Sequence, residues 1–416
     1  MDTNSHPDIQ FEDLMQSIKE RIPTQHINHY DNPIMTKNLP LKNLLASDHL
    51  STAEPHISER LLTHEKFKDI LSVAQYFPGN ITTFLGFECH LGTPEARADW
   101  AFAISGVGED RQVLKNILTN GYLPQEFLKK EEWIQIKEFA KAWADQKSIL
   151  FQKVKCFWLE FDMPEKLQNI PIPSVFFGPI RLPNNAATND ITQYEWLIND
   201  AIPLLKGNSP SEKTIEHFYH CIQQMPLNTS LFQVGTMLSR TKEGIRLYIN
   251  RIELDQIMPY LTKLGWEDQD NEFTELIEDL EDKSDRFVLS FDVNEGGIGK
   301  RIGIECSFIS DDFQNDERWE EFLDYLVDKG MCVPEKRDAL LEYSGIENVK
   351  TTMNGKLKPL ISASKILDDI SSYSIARYIN HIKIVYRPEQ PMEAKAYPAI
   401  RYLTESILHE EVTKMK

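Results

Sequence analysis

Glu160 and Asp162 lie two residues apart in the run Cys156-Phe157-Trp158-Leu159-Glu160-Phe161-Asp162. A strand places both carboxylates and Trp158 on one face, with about 7 Å between the two α-carbons, and Phe157, Leu159 and Phe161 on the other. Such a pair can bind a divalent cation or serve as acid and base in glycoside hydrolysis. It can equally form a structural network with Lys153, Lys155 or an arginine from a facing strand. Four other segments show a similar alternation. Taking their apolar sides as buried, the opposite faces present Glu88 and His90, then Gln233, Met237, Arg246, Tyr248 and Asn250, then Ser290, Asp292, Arg301 and Glu305, and finally Lys383, Lys395 and Tyr397.

These side chains hold the parts for one kind of reaction if they converge. Arg246, Arg301, Lys383 and Lys395 can gather around a multiply charged anion such as diphosphate, arginine offering a bidentate fork and lysine a point charge. Tyr248, Tyr397 and Trp158 can offer ring faces to a carbocation. A carboxylate among Glu88, Glu160 and Glu305 can accept a proton or orient an aromatic acceptor. Taken singly, each has a plainer explanation as a solvated or packed side chain. His90 has no second histidine at ligand spacing and reads as a satisfied polar residue.

Positioning these faces requires strands, and the chain supplies them as hairpins set between amphipathic helices. The hairpins are expected at Thr83–Leu91 with Trp100–Ser105, Phe151–Asp162 with Ser174–Pro179, Leu231–Ser239 with Gly244–Arg251, Arg286–Asn294 with Lys300–Phe308, and His381–Arg387 with Glu393–Ile400. Helices are expected at Phe11–Ile22, Ser58–Tyr76, Asp110–Thr119, Glu131–Gln146, Gln193–Leu205, Ser211–Gln224, Leu254–Leu264, Glu272–Glu281, Glu317–Lys329, Glu335–Tyr343, Ser364–Tyr378 and from Tyr402 onward. The glycine-rich stretch Glu295-Gly296-Gly297-Ile298-Gly299 lacks phosphate-loop spacing and is not followed by a helix, so it reads as a hairpin turn. A short fragment recurs, Gly86-Phe87-Glu88-Cys89 and Gly303-Ile304-Glu305-Cys306. The expected fold is α+β, a ten-stranded antiparallel barrel inside a helical ring, since closure removes the edges that short strands would expose. Residues 1–55 read as an extension with few core contacts, and 56–416 as one barrel domain.

Composition narrows the functional classes. At 416 residues with 41% hydrophobic and 10% aromatic content, the chain can build a large core. A net charge of −19 argues against nucleic acid and anionic membrane surfaces as partners. The five cysteines are dispersed, without zinc-site spacing. No signal peptide or membrane-spanning run is visible, so the cytoplasm is the expected location.

Two triplets, Arg246-Leu247-Tyr248 and Lys395-Ala396-Tyr397, together with the repeated helix–hairpin–helix order, resemble the ABBA-type aromatic prenyltransferases. Indole-prenylating members of that family set basic-x-Tyr pairs on successive strands. Lys383-Ile384-Val385 and Arg301-Ile302-Gly303 keep the base but not the tyrosine. The resemblance covers about residues 58–410 and implies a barrel of five αββα units. It also implies transfer of an allylic group from its diphosphate to an aromatic small molecule or peptide side chain. Arg246, Tyr248, Arg301, Lys383, Lys395, Tyr397 and Trp158 would hold the substrates, and Glu88 or Glu160 would orient the acceptor. No cofactor is required on this reading. The many inward carboxylates make Mg²⁺ possible, with Asp162 and Glu305 as its ligands. The competing expectations are a carboxylate-dependent hydrolase and a non-catalytic barrel that binds a ligand or peptide.

Overall fold

The alternation does close a barrel. In a computed structural model that describes residues 45–79, 82–106, 109–120, 123–125, 127–179, 189–240, 244–309, 316–348 and 373–404, each strand of the main sheet pairs antiparallel with the next and the last returns to the first. The strands are β1 (Thr82–His90), β2 (Ala98–Ser105), β3 (Val154–Phe161), β4 (Ser174–Pro179), β5 (Ser230–Thr236), β6 (Ile245–Asn250), β7 (Arg286–Asn294), β8 (Gly297–Ser307), a short β9 (Gly345–Asn348), β10 (Tyr373–Arg387) and β11 (Gln390–Thr404). Strand β8 pairs with β10, β10 with β11 and β11 with β1, which closes a ten-stranded ring. Strand β9 lies outside the ring, paired along the first part of β10.

Helices fill the intervals between hairpins: α1 (Ala46–Ser51), α2 (His64–Ala74), α3 (Asp110–Thr119), α4 (Glu131–Ala144), α5 (Ile149–Lys153), α6 (Ile202–Lys206), α7 (Glu212–Gln223), α8 (Leu254–Lys263), α9 (Glu272–Asp279), α10 (Arg318–Asp328) and α11 (Pro334–Tyr343). Several begin at the caps their sequences offer: Thr63, Ser148 and Ser211 each accept a backbone N–H of the first turn. The main core lies between this helical layer and the outer face of the barrel. There Phe157 stacks on Phe139 of α4, and Trp100 stacks on Phe161 with a centroid separation of 5.0 Å. Full burial of each such ring contributes about 1.5–3 kcal/mol. Closure, rather than a second sheet, satisfies the strand edges of the ring.

Several boundaries differ from expectation. Residues 151–153 are helical, because Ser148 caps α5 and carries it to Lys153. The expected helix Gln193–Leu205 is broken into a 3₁₀ turn at Ile191–Gln193, a π turn at Leu197–Ala201 and α6, with Pro203 in the first turn of α6. Tyr373–Tyr378 and Tyr402–Thr404, expected in helices, extend the last hairpin, which pairs from Tyr373 with Thr404 to Arg387 with Gln390. Ala46, Leu50 and Ala53 are fully buried in the main core, so this part of the N-terminal segment has more core contacts than expected. The expected helix Phe11–Ile22 lies outside the described residues, as do residues 364–372 and those beyond 404. Glu295 and Gly296 of the glycine-rich stretch form the β7–β8 turn, and Gly297, the first residue of β8, adopts a φ of 98°. No helix among the described residues is long and apolar enough to cross a membrane.

Candidate active site

Inside the ring, the residue types that alternate with the buried outer face meet one another. Two Glu–Lys pairs occupy neighbouring parts of this interior, and they correspond to the two copies of the repeated tetrapeptide. Glu305 on β8 accepts a hydrogen bond from Lys383 on β10 at 3.0 Å, these residues being direct cross-strand partners. Glu88 on β1 accepts hydrogen bonds from both Lys395 and Tyr397 on β11. A Gly-x-Glu segment next to a strand with an inward lysine thus produces the same pair twice.

The basic residues form a second arrangement. Arg246 on β6 lies opposite Asp292 on β7 and donates to both its oxygens, at 2.7 and 2.9 Å. Lys383 also donates to the Tyr248 hydroxyl at 3.1 Å, its nitrogen 4.5 Å from the Tyr248 ring centroid. Burial would lower the Lys383 ammonium, but the electrostatic influence of Tyr248 and Glu305 raises it. Arg301 differs: its Nη1 is buried with no hydrogen-bond partner, and burial together with the charge of Arg246 lowers its guanidinium. Arg301 and Arg246 also oppose the charge on Lys383. With Arg246 paired to Asp292 and Lys383 to Glu305, Arg301 adds the one positive charge left uncompensated in this group, and its unsatisfied donor suits an anion.

The carboxylates are driven apart in acidity. Burial favours a neutral Glu88, but the charge of Lys395 and the hydrogen bonds from Lys395 and Tyr397 hold it well below the usual range. Burial and the nearby charges of Glu88 and Asp162 push Glu160 up to about 8. One carboxylate is therefore a hydrogen-bond acceptor at neutral pH and the other a carboxylic acid, the divergence that separates acid and base roles.

Aromatic and small residues complete the inner wall. Phe84, Ala101, Ala103 and Ala399 form one apolar patch against Trp158 and Tyr378, and Phe176, Tyr248 and Val288 form another against Trp158, Phe232 and Met237. The Cβ-less Gly235 leaves room for the ring of Phe176, which a Cβ there would meet at 2.3 Å. Trp158 is half-buried between the patches, its ring 4.9 Å from that of Phe84. Tyr397 stacks on His381 at 4.0 Å.

The structure thus brings Arg246, Tyr248, Arg301 and Lys383 into one group, and Glu88, Lys395 and Tyr397 into another. The two candidate magnesium ligands do not meet as a pair: Asp162 is clasped by Arg240, at 2.8 Å, and Glu305 by Lys383. His90 is less isolated than its spacing implies, for its Nδ1 lies 2.6 Å from Glu393 and its Nε2 faces Asp99 and Glu88. Asp99 and Glu393 were absent from the inward set expected from sequence. The alternation Ala98-Asp99-Trp100-Ala101-Phe102 points Asp99 inward, a signal visible only when β2 is begun before Trp100.

No family model matches the sequence, and no curated protein matches it. Among solved structures, prenyltransferase PriB in its apo form is similar at 11% identity over 88% of this chain and 98% of that one, with a TM-score of 0.49. AnaPT from Neosartorya fischeri is similar at 12% identity over 84% and 91%, with a TM-score of 0.44. A 5-dimethylallyl tryptophan synthase from Streptomyces coelicolor, in complex with DMASPP and Trp, is similar at 10% identity over 85% and 93%, with a TM-score of 0.46.

Proposed function

We propose that the barrel interior transfers an allylic group from its diphosphate to an aromatic acceptor. The observation that carries this reading is the buried, unpartnered Nη1 of Arg301 beside Arg246 and Lys383. An anion with several oxygens satisfies that donor and neutralises the positive charge that Arg301 adds beyond the Arg246–Asp292 and Lys383–Glu305 pairs. As the C–O bond of the allylic diphosphate breaks, negative charge grows on the leaving group, where the arginines and Lys383 stabilise it more strongly than in the ground state. The positive charge left on the allylic carbons faces the side of the Tyr248 ring away from Lys383, whose ammonium lies 4.5 Å from the centroid.

The acceptor lies on the Glu88 side of the interior. The Glu88 carboxylate, ionised and held by Lys395 and Tyr397, accepts a hydrogen bond from an acceptor N–H or O–H and aligns its ring toward the cation. The new carbon–carbon bond leaves a proton on the attacked ring carbon, and a carboxylate of this group removes it. Trp158 and the apolar patch around Phe84 and Ala101 supply the wall against which a flat ring packs. Arg246, Arg301 and Lys383 supply the positive charge for the diphosphate, so a metal ion is optional in this scheme. The test is direct. Purified protein is incubated with dimethylallyl, geranyl or farnesyl diphosphate and a panel of indoles, phenols and aromatic peptides, with and without Mg²⁺, and products are read by mass. A prenylated acceptor formed with stoichiometric diphosphate supports the reading, whereas its absence across the panel counts against it.

A further inference from the structure

Glu88 and Asp99 are direct cross-strand partners on β1 and β2. Like charges at that position oppose sheet formation. Asp99 is almost fully buried, and a single ammonium, Lys395, serves Glu88 without reaching hydrogen-bond distance of Asp99 in this arrangement. His90 follows two residues after Glu88 on the same face of β1, so the strand period brings its ring to the same point. One ligand atom from each of Glu88, His90 and Asp99 lies within 4.8 Å of the others.

We propose that Glu88, His90 and Asp99 form a binding site for a first-row divalent metal ion of the zinc or manganese class. The His90 Nε2 is buried and has no hydrogen-bond partner. It stands 3.8 Å from Asp99 Oδ2 and 4.0 Å from Glu88 Oε1. Ligands about 2.1 Å from a tetrahedral metal lie about 3.4 Å from one another, so the two His90 pairs close by about half an ångström on loading and the Glu88–Asp99 pair, within 4.8 Å, by at most about 1.4 Å.

The outward atom of each ligand is already held. His90 Nδ1 meets Glu393 at 2.6 Å, Asp99 Oδ1 accepts the Met163 N–H at 2.6 Å, and Glu88 Oε2 accepts Tyr397. Such outer contacts fix imidazole and carboxylate orientation in metal sites. Glu88 Oε1 also accepts Lys395, and on loading that ammonium gives up Oε1 to the ion and turns toward Glu393, its second neighbour at 4.0 Å. Three carboxyl groups, Glu88, Asp99 and Glu393, surround the single ammonium of Lys395, so the group favours an added cation. A mixed imidazole–carboxylate set favours zinc, manganese or cobalt over magnesium.

The site is tested with chelator-treated full-length protein titrated with Co²⁺, followed by calorimetry and visible absorption. Saturation at one ion per chain, displaced by Zn²⁺, is expected. His90→Ala and Asp99→Asn should each weaken binding at least tenfold, and Glu393→Gln by about 10–100-fold, the usual effect of losing an outer partner. Mn²⁺ bound to wild-type protein should show hyperfine coupling to one imidazole nitrogen, a readout that needs no variant. Absence of saturable binding by Co²⁺, Mn²⁺ and Zn²⁺, a bound Mn²⁺ without nitrogen coupling, or an undiminished site in folded His90→Ala protein overturns the proposal. None of these readouts depends on prenyl transfer.

Discussion

The Lys383 ammonium lies 4.5 Å from the centroid of the Tyr248 ring while donating to Glu305 at 3.0 Å. A protein cation therefore occupies the kind of position that an allylic cation would need, and a carboxylate on the neighbouring strand neutralises it. The same compensation recurs at Arg246 with Asp292 and at Lys395 with Glu88. These three bases are each held by a carboxylate, and on the proposed function an incoming diphosphate would compete with those carboxylates.

That competition has a measurable sign. Asp292→Asn frees the Arg246 fork while leaving its shape, so an allylic diphosphate should bind several-fold more tightly by calorimetry. Arg246→Ala should weaken binding by about 1.5–3 kcal/mol, the scale of a charge-assisted hydrogen bond. If Asp292→Asn weakens binding as much as Arg246→Ala does, the pair acts as a structural unit and the anion lies elsewhere.

The two faces of β3 should respond differently to truncation. Phe157 is fully buried against α4, and Phe157→Ala should cost about 3–5 kcal/mol in chemical denaturation. Trp158 is half-buried toward the interior, and Trp158→Ala should cost clearly less while impairing acceptor binding. Equal losses of stability would contradict the inside–outside assignment.

Those faces were legible in the sequence because a half-buried strand alternates with period two, and Phe157, Leu159 and Phe161 leave no ambiguity. The Arg246 and Lys395 sides followed from the same rule. Strand β10 was only half legible: its register shifts between Ile379 and Ile382, so the alternation breaks there and Tyr373–Tyr378 reads as the end of a helix. The ion pairs were not legible at all. Glu88 meets Lys395 across 307 positions of sequence, a contact made only when β11 returns to β1. Asp99 was missed because β2 was begun at Trp100 rather than Ala98, and with it the group around His90.

Glu160 gives a pH-dependent stability. Its carboxyl remains protonated in the fold up to about 8, whereas in the unfolded chain it ionises at about 4.3. Between those values the unfolded chain binds fewer protons than the native protein, so this group reduces stability as pH rises through that window. The reduction is complete above about pH 8 and absent below about pH 4. Glu160→Gln should therefore raise the melting temperature at pH 9 and leave it nearly unchanged at pH 4. An equal shift at both values would contradict a buried acid.

Glu88→Gln keeps the size and the acceptor oxygen of the side chain but removes its charge. Turnover should fall by about 10²–10⁴, the contribution of a general base, with diphosphate affinity retained. The melting temperature should fall as well, because Lys395 loses its ion-pair partner. Unchanged turnover would remove Glu88 from the chemistry.

The central claim is that Arg301, Arg246 and Lys383 hold a diphosphate, and calorimetric titration with dimethylallyl, geranyl and farnesyl diphosphate tests it most directly. The account predicts one saturable site for at least one of these, weakened by about 1.5–3 kcal/mol in Arg301→Ala, whose Nη1 has no partner within the protein. No binding of any of the three to folded wild-type protein, with or without Mg²⁺, would contradict it.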